Sequence, residues 1–142
     1  MAFTDLPDDW DQHPITTPTR LPDVLDLIVS DRARRTGALY LVFCDPTDRL
    51  LAPTQIEELP PDADPAAVRD ALAPLLDTIL EVEPGAGVLA ALARSGGLSV
   101  TRGDESWAEA VAAACAGRLP LLGVHVVTTD GSRPVPRQAR AA

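Results

Sequence analysis

Side chains able to do chemistry are sparse in this sequence, and most gather in one stretch, Val88 to Asp104, which reads VLAALARSGGLSVTRGD. It sets Ser95, Ser99, Thr101 and Asp104 around the pair Gly96 and Gly97. A Gly-Gly turn feeding a helix start presents free amides, which can hold an anion or small ligand. One carboxylate among hydroxyls gives a polar pocket but no nucleophile–base pair. Elsewhere stand two histidines, His13 and His125, and two cysteines, Cys44 and Cys115. Neither cysteine has a histidine near it in sequence, so neither is set up as a catalytic thiolate. Both fall in apolar segments, which reads as reduced core thiols rather than a disulfide.

Local patterning supplies the elements that must position these residues. A helix is expected from Leu21, with Pro22 in its first turn and Asp23 and Asp26 at the positive end of its dipole. Its apolar stripe is Leu21, Leu25, Ile28 and Val29, and Gly37 stops it. Arg32, Arg34 and Arg35 gather at its far end; an anion site is one reading, a solvated terminus that complements the dipole the better one. Residues 38–44, ALYLVFC, read as a buried strand. The turn Asp45-Pro46-Thr47-Asp48 returns the chain into a second, antiparallel strand over 49–58, where Pro53 marks an edge or bulge. After a loop at 60–64, Asp64 caps and Pro65 opens a helix with Val68, Leu72, Leu75, Leu76, Ile79 and Leu80 at helical spacing. Pro74 inside it is expected to introduce a kink.

Residues 87–93, GVLAALA, are harder to assign, because alanine favours helix while the short, glycine-flanked run favours a buried strand. Strand is the better reading. Thr101 and Asp104 are spaced as a capping box, and Trp107, Val111, Ala114 and Cys115 form the buried stripe of the helix after it. LLGVHVVT at 121–128 is a strand and Asp130-Gly131 a turn. The order is helix, strand, strand, helix, strand, helix, strand. It predicts a single α/β domain over 21–131 with a mixed sheet flanked by helices. An N-terminal arm precedes it at 1–20 and a flexible C-terminal tail succeeds it at 132–142. Phe3 and Trp10 are too apolar for a free arm; they pack either on their own domain or on a partner subunit.

Charge narrows the partners. The chain has 142 residues and net charge −9, with twelve basic residues, all arginine. A phosphate backbone or anionic membrane surface needs concentrated basic side chains, so neither nucleic acid nor membrane is expected. No apolar run reaches the roughly 20 residues of a membrane helix. The acidic N-terminus lacks the order of a signal peptide, which points to the cytoplasm.

The element order, CDPTDRLL at 44–51 and LLGVHVV at 121–127 together resemble the JAB/MPN (JAMM) family, most closely its RadC-like branch, over about residues 38–131. The resemblance implies a layered, cytidine-deaminase-like α/β architecture. It also implies a zinc site built from His-x-His, Pro-Ser-Gly, Ser and Asp. In that alignment Arg94-Ser95-Gly96 takes the Pro-Ser-Gly place, Thr101 the Ser place and Asp104 the metal-binding Asp, while Ala91 and Ala93 stand where both histidines belong. The family's glutamate base lies at or before the first hairpin, and here no Glu precedes Glu57. Zinc needs about three protein ligands and an open position, so neither metal nor cofactor is expected, and no metalloprotease activity.

The expected function is that of a non-catalytic domain that binds a protein partner or pairs as a homodimer. A metal-independent enzyme or ligand pocket at Ser95, Gly96, Gly97, Ser99, Thr101 and Asp104 is the alternative. A RadC-like link to DNA repair is a further one, which the acidic charge opposes. His13 and His125 are available to replace lost ligands only if arm and strand converge. Restoring histidine at 91 and 93 is expected to create a zinc site with Asp104, because positions two apart share a strand face.

Overall fold

A computed structural model describes residues 8–57 and 63–136, in which five strands form one sheet of order β2-β1-β3-β4-β5. The strands are β1 (Ala38–Cys44), β2 (Leu50–Glu57), β3 (Gly87–Ala93), β4 (Leu121–Thr128) and β5 (Gly131–Pro134). Only β3 and β4 are parallel; the other pairings are antiparallel. The sheet is therefore mixed, and the domain is α/β as expected. Phe3, Glu58, the loop at 60–62 and the tail beyond 136 lie outside the described residues.

Helices lie in two layers. On one face, α3 (Pro65–Val82) and α4 (Arg102–Cys115) pack Leu72, Leu76, Trp107 and Val111 onto Leu39, Leu41, Phe43, Val88, Ala90 and Leu92. On the other face, α1 (Leu21–Ile28) and α2 (Asp31–Thr36) pack Val24, Leu25, Val29 and Ala33 onto Tyr40, Val42, Leu89, Ala91 and Ala93. The strict alternation of β1 and β3 between these two clusters is the period-2 rule of a strand buried on both sides. Alanine at 90, 91 and 93 fits because a central strand needs packing partners more than strand propensity. The parallel β3–β4 pair requires a crossover, which α4 supplies.

Two expectations change. The first helix is two: Val29 leaves helical geometry, and Ser30 caps α2 by accepting from the Ala33 amide at 3.0 Å. A local cap thus overrides the continuous apolar stripe. Residues 131–134, of which 132–134 are tail by sequence, form an edge strand on β4, and Val135 is buried with its amide donating to the Val124 carbonyl at 2.7 Å. The described part of the arm packs on its own domain, one of the two readings its apolar residues allow. Ile15 is fully buried in the α1–α2 cluster, and Thr16 donates to Asp48 at 2.8 Å. Trp10 packs against that same cluster, on its own chain.

Other local readings hold. The Asp45 carboxylate accepts from the Thr47 hydroxyl and the Thr47 and Arg49 amides, which pull its pKa down to about 2. Asp64 accepts from the Ala66 amide at the start of α3. That helix runs without interruption through Pro74.

Candidate functional site

Strand parity decides what the Val88–Asp104 stretch can do. Ala90 and Leu92 face α3 and α4, so Arg94, next in that alternation, emerges on the same side at the end of β3. Asp104 sits in the first turn of α4 and is almost wholly buried, at 3% exposure. The two meet as a fork-to-fork pair: Arg94 Nε donates to Asp104 Oδ1 and Nη2 to Oδ2, each at 2.8 Å. This planar, bidentate geometry is the strong form of the ion pair. Arg94 Nη1 also donates to the carbonyls of Ser95 and Gly97, and Nη2 to that of Ser99, all at 2.9 Å. Every N–H of a guanidinium is then used. Gly96 turns the chain at φ +95, where a side chain is strained, and lets those carbonyls converge on the arginine.

Asp104 carries a second duty. Its Oδ2 accepts from the Thr101 amide at 2.9 Å, while the Asp104 amide donates to the Thr101 hydroxyl at 3.1 Å. This is the capping box that the spacing predicts. Burial pushes the Asp104 carboxyl up, but Arg94 and Thr101 outweigh it and hold the group below its ordinary value. Arg94 is held above its own by the same contact. An anion entering at the α4 N-terminus would meet this carboxylate, which fills the role the helix amides offer to a ligand.

Ala91 and Ala93 do not join this group. Both are buried in the α1–α2 cluster, on the sheet face away from α4. A zinc ion does not fit these residues: two alanines supply no donor atoms, they face away from Asp104's helix, and both oxygens of Asp104 are engaged by Arg94. The histidines are not brought to it. His13 pairs with Asp9 on the exposed arm at 3.1 Å. His125 lies on β4, paired in register with Ala91, with Nδ1 buried and lacking a hydrogen-bond partner. Burial lowers its pKa. Among the described residues no group of three or more His, Cys, Asp and Glu could hold a metal, and no helix is long and apolar enough to cross a membrane. Cys44 and Cys115 are both buried, and burial, with help from Asp48 and Asp45, pushes the Cys44 thiol up to about 12.

Sequence reading misses a second arginine clasp. Arg34, expected in a solvated terminus, is only 6% exposed. Its guanidinium donates to the Thr128 carbonyl on β4 and to the Asp26 and Val29 carbonyls, and pairs with the Asp26 carboxylate at 2.9 Å. It ties the broken end of α1 to the sheet. The signal available in sequence is Ser30-Asp31, a helix start whose phase turns Arg34 inward while Arg32 and Arg35 stay exposed. Parity also puts Arg94 on the same face as Ala90 and Leu92, and the fold shows that this is the face α4 covers. Neither a search of protein-family models nor one of curated proteins finds a match for this chain.

Proposed function

We propose that this chain is a JAB/MPN-like domain without metal chemistry, acting by binding protein, either a second copy of itself or another subunit. The observation carrying the reading is the Arg94–Asp104 pair. An arginine stands at the first position of the aligned Pro-Ser-Gly triplet, and it engages both oxygens of the carboxylate that would otherwise ligate zinc. A positive guanidinium there plays the electrostatic part of a cation, neutralising a buried acid and closing the loop around it. The element order around it, with an antiparallel hairpin, a helix after it and a parallel β3–α4–β4 unit, supports the same reading.

Strand addition is a poor route to self-association here. Pro53 in β2 can sit in its ladder only with its nitrogen turned to the open edge. In β5 the Val135 amide points inward to Val124, so by alternation Pro134 turns its nitrogen outward. Both edges of the sheet thus lack a donor where a further strand would need one. Binding is therefore assigned to helix and loop surfaces.

The test has two arms. Protein purified without chelator should carry no stoichiometric zinc by elemental analysis and should leave an isopeptide-linked ubiquitin dimer uncut. One tightly held zinc per chain overturns the reading. Sedimentation across a concentration series then separates the two kinds of partner, with a dimer assigning the surface to a second copy and a monomer to a different subunit.

A further inference from the structure

The α1–α2 layer covers β1 and β3 but only part of β4, where Val127 joins the packed cluster and His125 does not. The cover around His125 is thinner. The arm brings Thr16 and Pro18 near it, the start of α1 Leu21, β3 Leu89, and β5 Ser132 and Pro134. Pro134 is its register partner on the β5 side and Ala91 on the β3 side. The arm is anchored by the fully buried Ile15 and by two bonds to Asp48. β5 is only a four-residue edge strand.

Two properties of this setting bear on protonation. First, the ring nitrogen Nδ1 is buried and has no hydrogen-bond partner. A neutral ring can keep its hydrogen on Nε2 and leave Nδ1 as a lone pair, but a charged ring carries a hydrogen on both nitrogens. Nδ1 then becomes a buried donor on a cation with no acceptor to meet it. Second, no counter-charge stands beside the ring. None of the residues that the arm, α1, β3, β4 and β5 place around it is charged. The charged groups of those elements are turned elsewhere. Asp23 and Asp26 of α1 line the neighbouring hollow with Asp130 and Arg34 of α2, and Arg34 is itself a cation already paired with Asp26. Arg20 acts on Asp9, which also holds His13. Arg133 of β5 is in register with Val126, whose side chain belongs to the α3–α4 face. Burial is accordingly what lowers the pKa of the ring, with no charge contributing.

We propose that His125 is an acid-sensitive latch: protonation of its ring releases the β5 edge strand from β4 while the rest of the sheet stays folded. Hydrating Nδ1 requires moving part of its cover, and β5 is the lightest part, since β1, β3 and α1 carry the packed cluster. Local openings of this kind lie below global unfolding in free energy. The sign is fixed by the two forms of the ring. Exposed, it titrates near its ordinary 6.5; covered, it titrates lower. The latch is therefore fully closed above 6.5 and weakens as pH falls below that value, by up to about tenfold per pH unit, until the covered ring itself titrates. The device lies on the opposite sheet face from the layer that Arg94 and Asp104 join and stands independently of a protein-binding role.

The experiment reads the unmodified full chain by NMR, following the His125 ring resonances through pH and amide hydrogen exchange at pH 7 and pH 5.5, a range above ordinary carboxylate pKa values. The ring should titrate below 6.5. The Arg133 and Val135 amides should be protected at least about tenfold less than the Leu41 amide of β1, the mark of a local opening. Corrected for intrinsic rate, their protection should fall about fivefold from pH 7 to pH 5.5. His13→Gln, which removes the other histidine, should leave that fall intact, and His125→Phe should abolish it. A ring that titrates at or above 6.5 overturns the proposal. So does protection at Val135 equal to that at Leu41, a fall under about twofold, or a fall lost in His13→Gln. The ring titration and the exchange at two pH values need no variant, so they decide the matter even if His125→Phe fails to fold.

Discussion

Replacing Arg94 with methionine keeps the apolar stem of the side chain and deletes every donor. The carboxylate it leaves is buried, and breaking a buried pair by removing one partner typically costs about 3–5 kcal/mol. Two features reduce that figure here. The Arg94 side chain is 23% exposed, so some water reaches the gap, and the Thr101 amide still donates to Asp104. The loss expected is about 2–4 kcal/mol. With a urea dependence of about 1.5 kcal/mol per molar, the unfolding midpoint should fall by about 1.3–2.7 M. The pH dependence gives a second signature. In the intact protein the Asp104 carboxyl lies below its ordinary 3.8, so the pair's stabilisation is complete above that value and is lost as pH falls through the folded pKa. In Arg94→Met the burial that pushes the carboxyl up is opposed by Thr101 alone. The folded pKa then rises, and protonation relieves the variant, so its deficit against the parent should shrink between pH 7 and pH 4. Urea unfolding of Arg94→Met, Asp104→Asn and the double variant measures all of this, with an expected coupling of about 1–3 kcal/mol. A deficit below about 0.5 kcal/mol for Arg94→Met, or one unchanged across that pH range, refutes the clasp as a stabilising unit.

Leu76 is fully buried between α3 and the sheet, so Leu76→Ala should lower stability by about 2–5 kcal/mol in the same assay, and a change under about 0.5 kcal/mol would put α3 off the core. Arg34→Lys should fail to rescue Arg34→Met, because one ammonium cannot span the carbonyls of Asp26, Val29 and Thr128; equal midpoints for Lys and the parent would contradict this. Cys44, its thiol pushed up to about 12, should resist iodoacetamide at pH 8 in folded protein and react in urea, as mass spectrometry of the labelled peptide will show. The double substitution Ala91→His, Ala93→His should gain no zinc affinity by calorimetry and should lose stability, since both rings would be forced into the packed α1–α2 cluster.

That last expectation reverses the one reached from sequence, and the reason lies in the strand's neighbours. Spacing correctly puts residues 91 and 93 on one strand face but does not say which. The face becomes legible only once β1 supplies Tyr40 and Val42 beside them. Signals confined to a few residues survive folding well: the Asp45 turn, the Asp64 cap, the Thr101–Asp104 box, and the strands at 38–44, 87–93 and 121–128. Where two local signals compete, the reading fails. The apolar stripe through Val29 masks the Ser30 cap, and the proline-rich wording after Gly131 masks an edge strand that tolerates proline. Long-range partners are beyond reach. Nothing near Arg34 in sequence announces the carbonyl of Thr128, and the partner of Arg94 lies ten residues on, across a loop that must first close.

The strand order also has a bearing on how the chain is made. The hairpin of β1 and β2 leaves one edge of β1 open, β3 pairs with that edge, β4 with β3, and β5 with β4. No strand waits for a partner encoded later before the sheet can grow, and none must be inserted between two already paired. A ribosome delivering the chain from its N-terminus would release each strand onto a finished template. Pro53 and Pro134 then mark the two places where this growth stops.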